Sequence, residues 1–159
     1  MAIFLSGNIL HFLLTTLFRF REVSNLLYTQ NIFEFNHPMS LILFKKTIQP
    51  SSMNSIKSIS INLQKDLIDT LRPSQEYKLI RDWQDMWVTI SEMEGLEEIR
   101  VRLQFPSKTI FPWPETTILG PLWKLSKPMR VFEVDTRPSV HRDFEQTGEA
   151  PFKLLRNRV

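Results

Sequence analysis

Asp82, Asp85 and Glu92 are the carboxylates of this 159-residue sequence best placed to do chemistry, because Trp83 and Trp87 lie among them. Carboxylates beside aromatic rings are the equipment of general acid and base catalysis on a sugar. One carboxyl group would have to stay protonated, which needs burial or a neighbour that raises its pKa. Asp82 and Asp85 stand three apart on the polar side of a helical pattern, so a solvated face is the expected reading. Trp83 and Trp87, spaced by four, would form a stacking platform if exposed. With Met86 and Ile90 they complete an apolar stripe instead, and they are expected in the core.

The other reactive residue types do not assemble into a site. His11, His37 and His141 are the histidines, and none has a second histidine or a carboxylate at the spacing of a helical zinc motif. His37 precedes Pro38 and belongs to a helix start. Four glycines, Gly7, Gly95, Gly120 and Gly148, cannot supply a phosphate loop or a dinucleotide-binding turn. Zero cysteines remove thiol catalysis, zinc knuckles, iron-sulfur ligation and disulfides together, which suits an intracellular, cytoplasmic or nuclear protein. No catalytic residue, cofactor, metal or small-molecule ligand is expected. Trp113, held between Pro112 and Pro114, has little freedom to lose on binding and is a candidate exposed anchor.

The elements follow from periodicity. Leu10, Leu13, Leu14, Leu17, Val23, Leu26 and Leu27 recur at helical spacing over residues 9–28, and this N-terminal helix is expected to be largely buried. Asn31 to Phe35 reads as a short strand, and Pro38 opens a helix that reaches about Ile48. Ser55 to Leu63 alternates Ile59, Ile61 and Leu63 with Ser60 and Asn62, the period of a half-buried strand. Ser74 is the expected cap of a helix from Gln75 carrying Leu79, Trp83, Met86, Trp87, Ile90 and Met93, with Gly95 as its left-handed stop. Leu96 to Phe105 is the next strand, and the loop from Pro106 to Pro114 leads to a helix near Glu115 to Leu125, kinked or split at Gly120-Pro121. Met129, Phe132 and Val134 mark a last strand.

One pattern, apolar-x-x-apolar-x-apolar, recurs at Ile56/Ile59/Ile61, Leu96/Ile99/Val101 and Met129/Phe132/Val134, with a weaker copy at Phe33/Phe35. The anchors Phe33, Ile59, Ile99 and Phe132 lie 26, 40 and 33 residues apart. These strand-plus-helix units predict an α/β fold: a short leucine-rich-repeat-like arc of three to four parallel strands with helices on one face, preceded by an N-terminal helix. The polar alternation is the discriminating feature. Strands of a doubly wound sheet are covered on both faces and read as continuous apolar runs, whereas these must leave one face in water. In register, Arg100 falls beside Glu133 and Arg102 beside Asp135, with Ser60 and Asn62 one strand away. Exposed ion pairs worth ~0–1 kcal/mol are the plain reading of that face. A protein-binding surface formed by Ser60, Asn62, Arg100, Arg102, Glu133, Asp135 and Trp113 is the functional one.

Charge and composition set the remaining bounds. The net charge of +3 divides into +2 over residues 1–53, −3 over 54–100, +2 over 101–136 and +2 over 137–159, so no basic stripe singles out nucleic acid. Residues 3–18 are apolar, yet Asn8, His11, Thr15 and Thr16 interrupt them. No basic residue precedes them, and they fall short of the ~20 apolar residues of a spanning helix. A membrane role through residues 1–18 is the alternative reading. Residues 1–136 are expected to form a single domain and 137–159 a basic, poorly ordered tail, with a short helix at Pro151 to Arg156.

Residues 13–136 also carry a resemblance. LLTTLFRFREVSNLLYTQNIFEFNHPMSLILFKKTIQPSSMNSIKSISINL, then WQDMWVTISEMEGLEEIRVRL and PMRVFEV, resemble a fungal domain family of unknown function whose members look like degenerate F-box and leucine-rich-repeat proteins. The most specific pieces are Glu22 through Phe35, the strand from Ile56 to Ile59, and the Gly95-Leu96 turn into I-R-V-R-L. Thr16 and Leu17 stand where that family often has a cysteine and an arginine, and the Leu-Pro opening of a true F-box is not present. The resemblance implies intracellular protein interaction and no assigned activity; a ubiquitin-ligase adaptor role would rest on analogy.

Overall fold

The computed structural model describes residues 22–23, 25–64, 73–104, 115–136 and 150–156. Along them the chain forms β1 (Ile32–Phe35), α1 (Pro38–Thr47), α2 (Pro50–Ser55), β2 (Ser58–Gln64), α3 (Pro73–Ser91), β3 (Glu98–Gln104), α4 (Glu115–Trp123), β4 (Val131–Thr136) and β5 (Lys153–Arg156). All five strands are parallel and lie in the order in which they are made, β1-β2-β3-β4-β5.

The alternation in the sequence becomes two sheet faces because successive strand side chains point to opposite sides. The repeat anchors fall into one row across the sheet, Phe33 beside Ile59, Ile59 beside Ile99, and Ile99 beside Phe132. A second row runs Phe35, Ile61, Val101, Val134 and Leu154. These rows join one core to which every labelled helix contributes: Leu41 from α1, Met53 from α2, Leu79, Trp83, Met86, Trp87 and Ile90 from α3, and Ile118, Leu119 and Leu122 from α4. A parallel crossover is almost always right-handed, so strands laid down in sequential order send their connections to one side.

Local signals explain where helices begin. Pro38 occupies the first turn of α1, and His37 caps it, its Nδ1 accepting the Met39 backbone N–H at 3.0 Å. Lys45 and Lys46 close the same helix, where cations suit the negative end of its dipole. The helix expected from Gln75 starts two residues earlier, at Pro73. Pro121 lies inside α4 without splitting it, in a nine-residue helix that ends two residues later.

Three expectations are corrected. Gly95 does not take a left-handed conformation; a Cβ there would collide with the Asn54 carbonyl oxygen and lie 2.9 Å from its carbon, so glycine is required by the close approach of the last turn of α2. Most of the helix expected over residues 9–28 lies outside the described residues; residues 25–30 are helical, but Val23, Leu26 and Leu27 of its expected buried stripe are 50% or more exposed. Periodicity says which residues share a side of a helix and not what faces that side. Pro151 to Arg156 is not a helix: Phe152 is buried, and Lys153–Arg156 pairs with β4 as the fifth strand. Phe152 packs edge-on to Trp123 at 5.8 Å and against Phe132 at 5.4 Å, long-range contacts that sparse apolar residues in the tail do not announce.

Replacing Gly95 by alanine is expected to cost about 3 kcal/mol, the upper end for overpacked interiors, because backbone must move. A urea titration should show the lowered midpoint. A second test uses pH. Burial lowers the His37 pKa, Asp82 opposes the shift and Lys78 adds to it. The neutral ring is the one whose Nδ1 accepts the capping bond. A folded pKa below the unfolded value makes this stability complete above about pH 6.5 and lost as pH falls through the folded pKa. His37→Asn, which caps without titrating, should flatten the urea midpoint between about pH 7.5 and pH 5; an unchanged slope would assign the loss to other groups.

Candidate functional site

The polar face of the sheet brings together most of the residues singled out in the sequence. Arg100 lies beside Glu133 and Arg102 beside Asp135 across β3 and β4, the register that the alternation predicts. Ser60 and Asn62 lie beside Arg100 and Arg102 on β2, and Lys153 and Leu155 of β5 extend the rows past Glu133 and Asp135. Trp113 and the loop from Pro106 to Pro114 lie outside the described residues, as do residues 3–18.

Geometry redistributes the ion pairs. The closest partner of Arg100 is Glu98 on its own strand, 2.8 Å away, while its Nε stands 4.0 Å from Glu133. Residues two apart on a strand share a face, so this pairing is local. Glu98 also accepts from Arg130 at 2.5 Å and is the hub of the cluster. Desolvation raises the Glu98 pKa, but hydrogen bonds from Arg130 and Arg100 outweigh it and hold the carboxyl below its usual range. Arg102 is exposed and makes no ion pair with a described residue.

The face is less wet than alternation implies. Ser60 and Asn62 are each 8% exposed, where the sequence predicts open solvent. Ser60 has Glu34 and Arg100 on its two flanks, and Asn62 has Arg102 on one; short side chains between longer ones lose their access to water. Asn62 Oδ1 is buried without a donor among the described residues. An unsatisfied buried polar atom costs about 1–3 kcal/mol and calls for a reason.

The carboxylates beside the tryptophans do not converge. Asp82 is buried, against the solvated face expected for it, because its side of α3 lies close to His37 at the start of α1. Asp85 is exposed, and Glu92 pairs with Lys45 of α1. Trp83 and Trp87 lie in the core edge-on at 5.5 Å, and Trp83 Nε1 donates to the Ile118 carbonyl at 3.0 Å. Among the described residues no cluster of three or more histidines and carboxylates could hold a metal ion, and no helix is long and apolar enough to cross a membrane.

One feature had no signal in the sequence. Trp123, Leu125, Ser126, Lys127, Pro128, Met129 and Pro151 line an open hollow of about 540 Å³ between the end of α4 and the start of β5. Lys127 donates to the Met93 carbonyl past the end of α3, and burial lowers its pKa while Glu94 opposes the shift. Its place depends on a contact across 34 residues, which local pattern does not encode.

A parallel α/β domain with its strands in sequential order and a charged sheet face is the class that these features define. The chain belongs to the family described as domain of unknown function DUF7730, whose profile matches residues 2–154. No curated protein and no solved structure matches it.

Glu98→Gln should lower stability by no more than about 1 kcal/mol near neutral pH, since it weakens two charge-assisted hydrogen bonds whose arginine partners are 36% and 68% exposed. The folded pKa of Glu98 is depressed, so its contribution is present above the unfolded carboxylate pKa and lost as pH falls through the folded one. Wild type and variant should therefore converge in urea midpoint as pH falls below the ordinary glutamate range.

Proposed function

We propose that this chain is a non-catalytic protein-protein interaction module of leucine-rich-repeat-like architecture, acting inside the cell through the polar face of its sheet. The observation that carries the reading is one-sidedness. Every labelled helix contributes to the core on one side of five sequentially ordered parallel strands, and the other side presents Arg100, Arg102, Glu133, Asp135 and Lys153.

The composition of that face bears on the partner. Glu98, Glu133, Asp135 and Glu34 offset Arg100, Arg102, Arg130 and Lys153, which favours a protein partner over a nucleic-acid backbone. The resemblance to degenerate F-box and leucine-rich-repeat proteins points the same way by analogy.

Arg100→Glu with Arg102→Glu should remove partners from a proximity-labelling set recorded in native cells, while circular dichroism stays that of wild type. An unchanged set with a folded double variant would sink the proposal.

A further inference from the structure

The centre of the polar face holds two unmet demands side by side. Asn62 on β2 and Arg102 on β3 are partners in register and therefore share the face. Asn62 is more than nine-tenths buried, and its Oδ1 has no donor among the described residues. Arg102 is exposed and has no ion-pair partner among them, whereas Arg100, two residues earlier on the same strand, is engaged by Glu98 and Glu133. A buried acceptor left without a donor destabilises the free protein and has no structural return. Arg102, although Asp135 lies opposite it in register, forms no ion pair with a described residue, whereas Arg100 does.

We propose that Asn62 and Arg102 form a recognition site for an extended acidic segment of a partner protein, the backbone of which supplies an N–H to Asn62 Oδ1 and a side chain of which supplies a carboxylate to Arg102. This rests on the reading of the polar face as the binding surface and names what that face reads. An extended segment suits the geometry because its backbone amides stay unpaired and available. The carboxamide of Asn62 offers a donor and an acceptor together, as a peptide group does. The guanidinium of Arg102 takes a carboxylate through two parallel hydrogen bonds. Reaching Oδ1 requires side chains to swing aside, and the one at its register position is the flexible Arg102, which the carboxylate itself would draw outward.

The test uses the full chain labelled with nitrogen-15 and titrated with acetylated, amidated hexaglutamate, with hexaglutamine and sodium acetate as controls. Hexaglutamate should shift the Asn62 side-chain amide and the Arg102 Nε–H signals saturably, and hexaglutamine should bind at least about tenfold more weakly. Acetate at matched carboxylate concentration should leave the Asn62 signal in place. Asn62→Leu should weaken hexaglutamate binding by at least about tenfold while leaving Tm unchanged or raised, because the orphan acceptor is gone. A lowered Tm with undiminished binding would make Asn62 structural and overturn the proposal. Should Asn62→Leu fail to fold, Arg102→Gln on the exposed surface serves in its place, and binding equal to wild type would again overturn it. Equal response to glutamate and glutamine peptides, or no shift of either signal, would do the same. Partner capture that still depends on Arg100 and Arg102 would in that case leave the broader reading standing.

Discussion

Two apolar rows across a parallel sheet are the constraint on which the rest of this structure depends. Phe33, Ile59, Ile99 and Phe132 form one, and Phe35, Ile61, Val101, Val134 and Leu154 the other. In a parallel sheet a slip of one residue would turn a whole strand's apolar set into the polar face, so register and burial enforce each other. Ile59, Ile61, Ile99, Val101 and Val134 are all buried to 1% exposure or less. At roughly 25 cal/mol per Å² of apolar surface removed from water, such side chains contribute about 1.5–3 kcal/mol each, and no ion pair on the opposite face approaches that sum.

Helix packing follows from those rows. The long helix α3 lays Leu79, Trp83, Met86, Trp87 and Ile90 into the core, and its two tryptophans begin an aromatic path. Trp87 meets Phe132 of β4 at 6.1 Å, Phe132 meets Phe152 at 5.4 Å, and Phe152 meets Trp123 of α4 at 5.8 Å. Offset and edge-on ring pairs add about 0.5–1.5 kcal/mol each beyond their burial. This path joins residues 150–156 to the core and explains how a four-residue strand persists at the sheet edge.

The polar face has a different economy. Glu98 gathers Arg100 and Arg130 in a cluster that orients side chains more than it stabilises the fold, since these groups remain partly solvated. On the same face Asn62 is buried, and its Oδ1 has no donor among the described residues. A fold whose core rows supply ample burial can carry that defect, and such departures from local consistency gather where a protein works.

By itself the sequence determined what neighbouring residues decide: the parity of the strands, the repeat that aligns Phe33, Ile59, Ile99 and Phe132, the helix start at His37-Pro38, and the placing of Arg100 beside Glu133 and Arg102 beside Asp135. Side-chain alternation and capping act within a few residues, so they are legible in one chain. Tertiary structure alone decided the rest, because burial and close approach depend on segments distant in sequence. It enlisted residues 153–156 as a strand through Phe152, and it required glycine at 95 because the Asn54 carbonyl arrives there. It buried Asp82 near His37, left Val23, Leu26 and Leu27 exposed, and drew Ser60 and Asn62 out of water beside longer side chains. The face that alternation predicts is present; which of its polar atoms are satisfied was settled only when five strands came together.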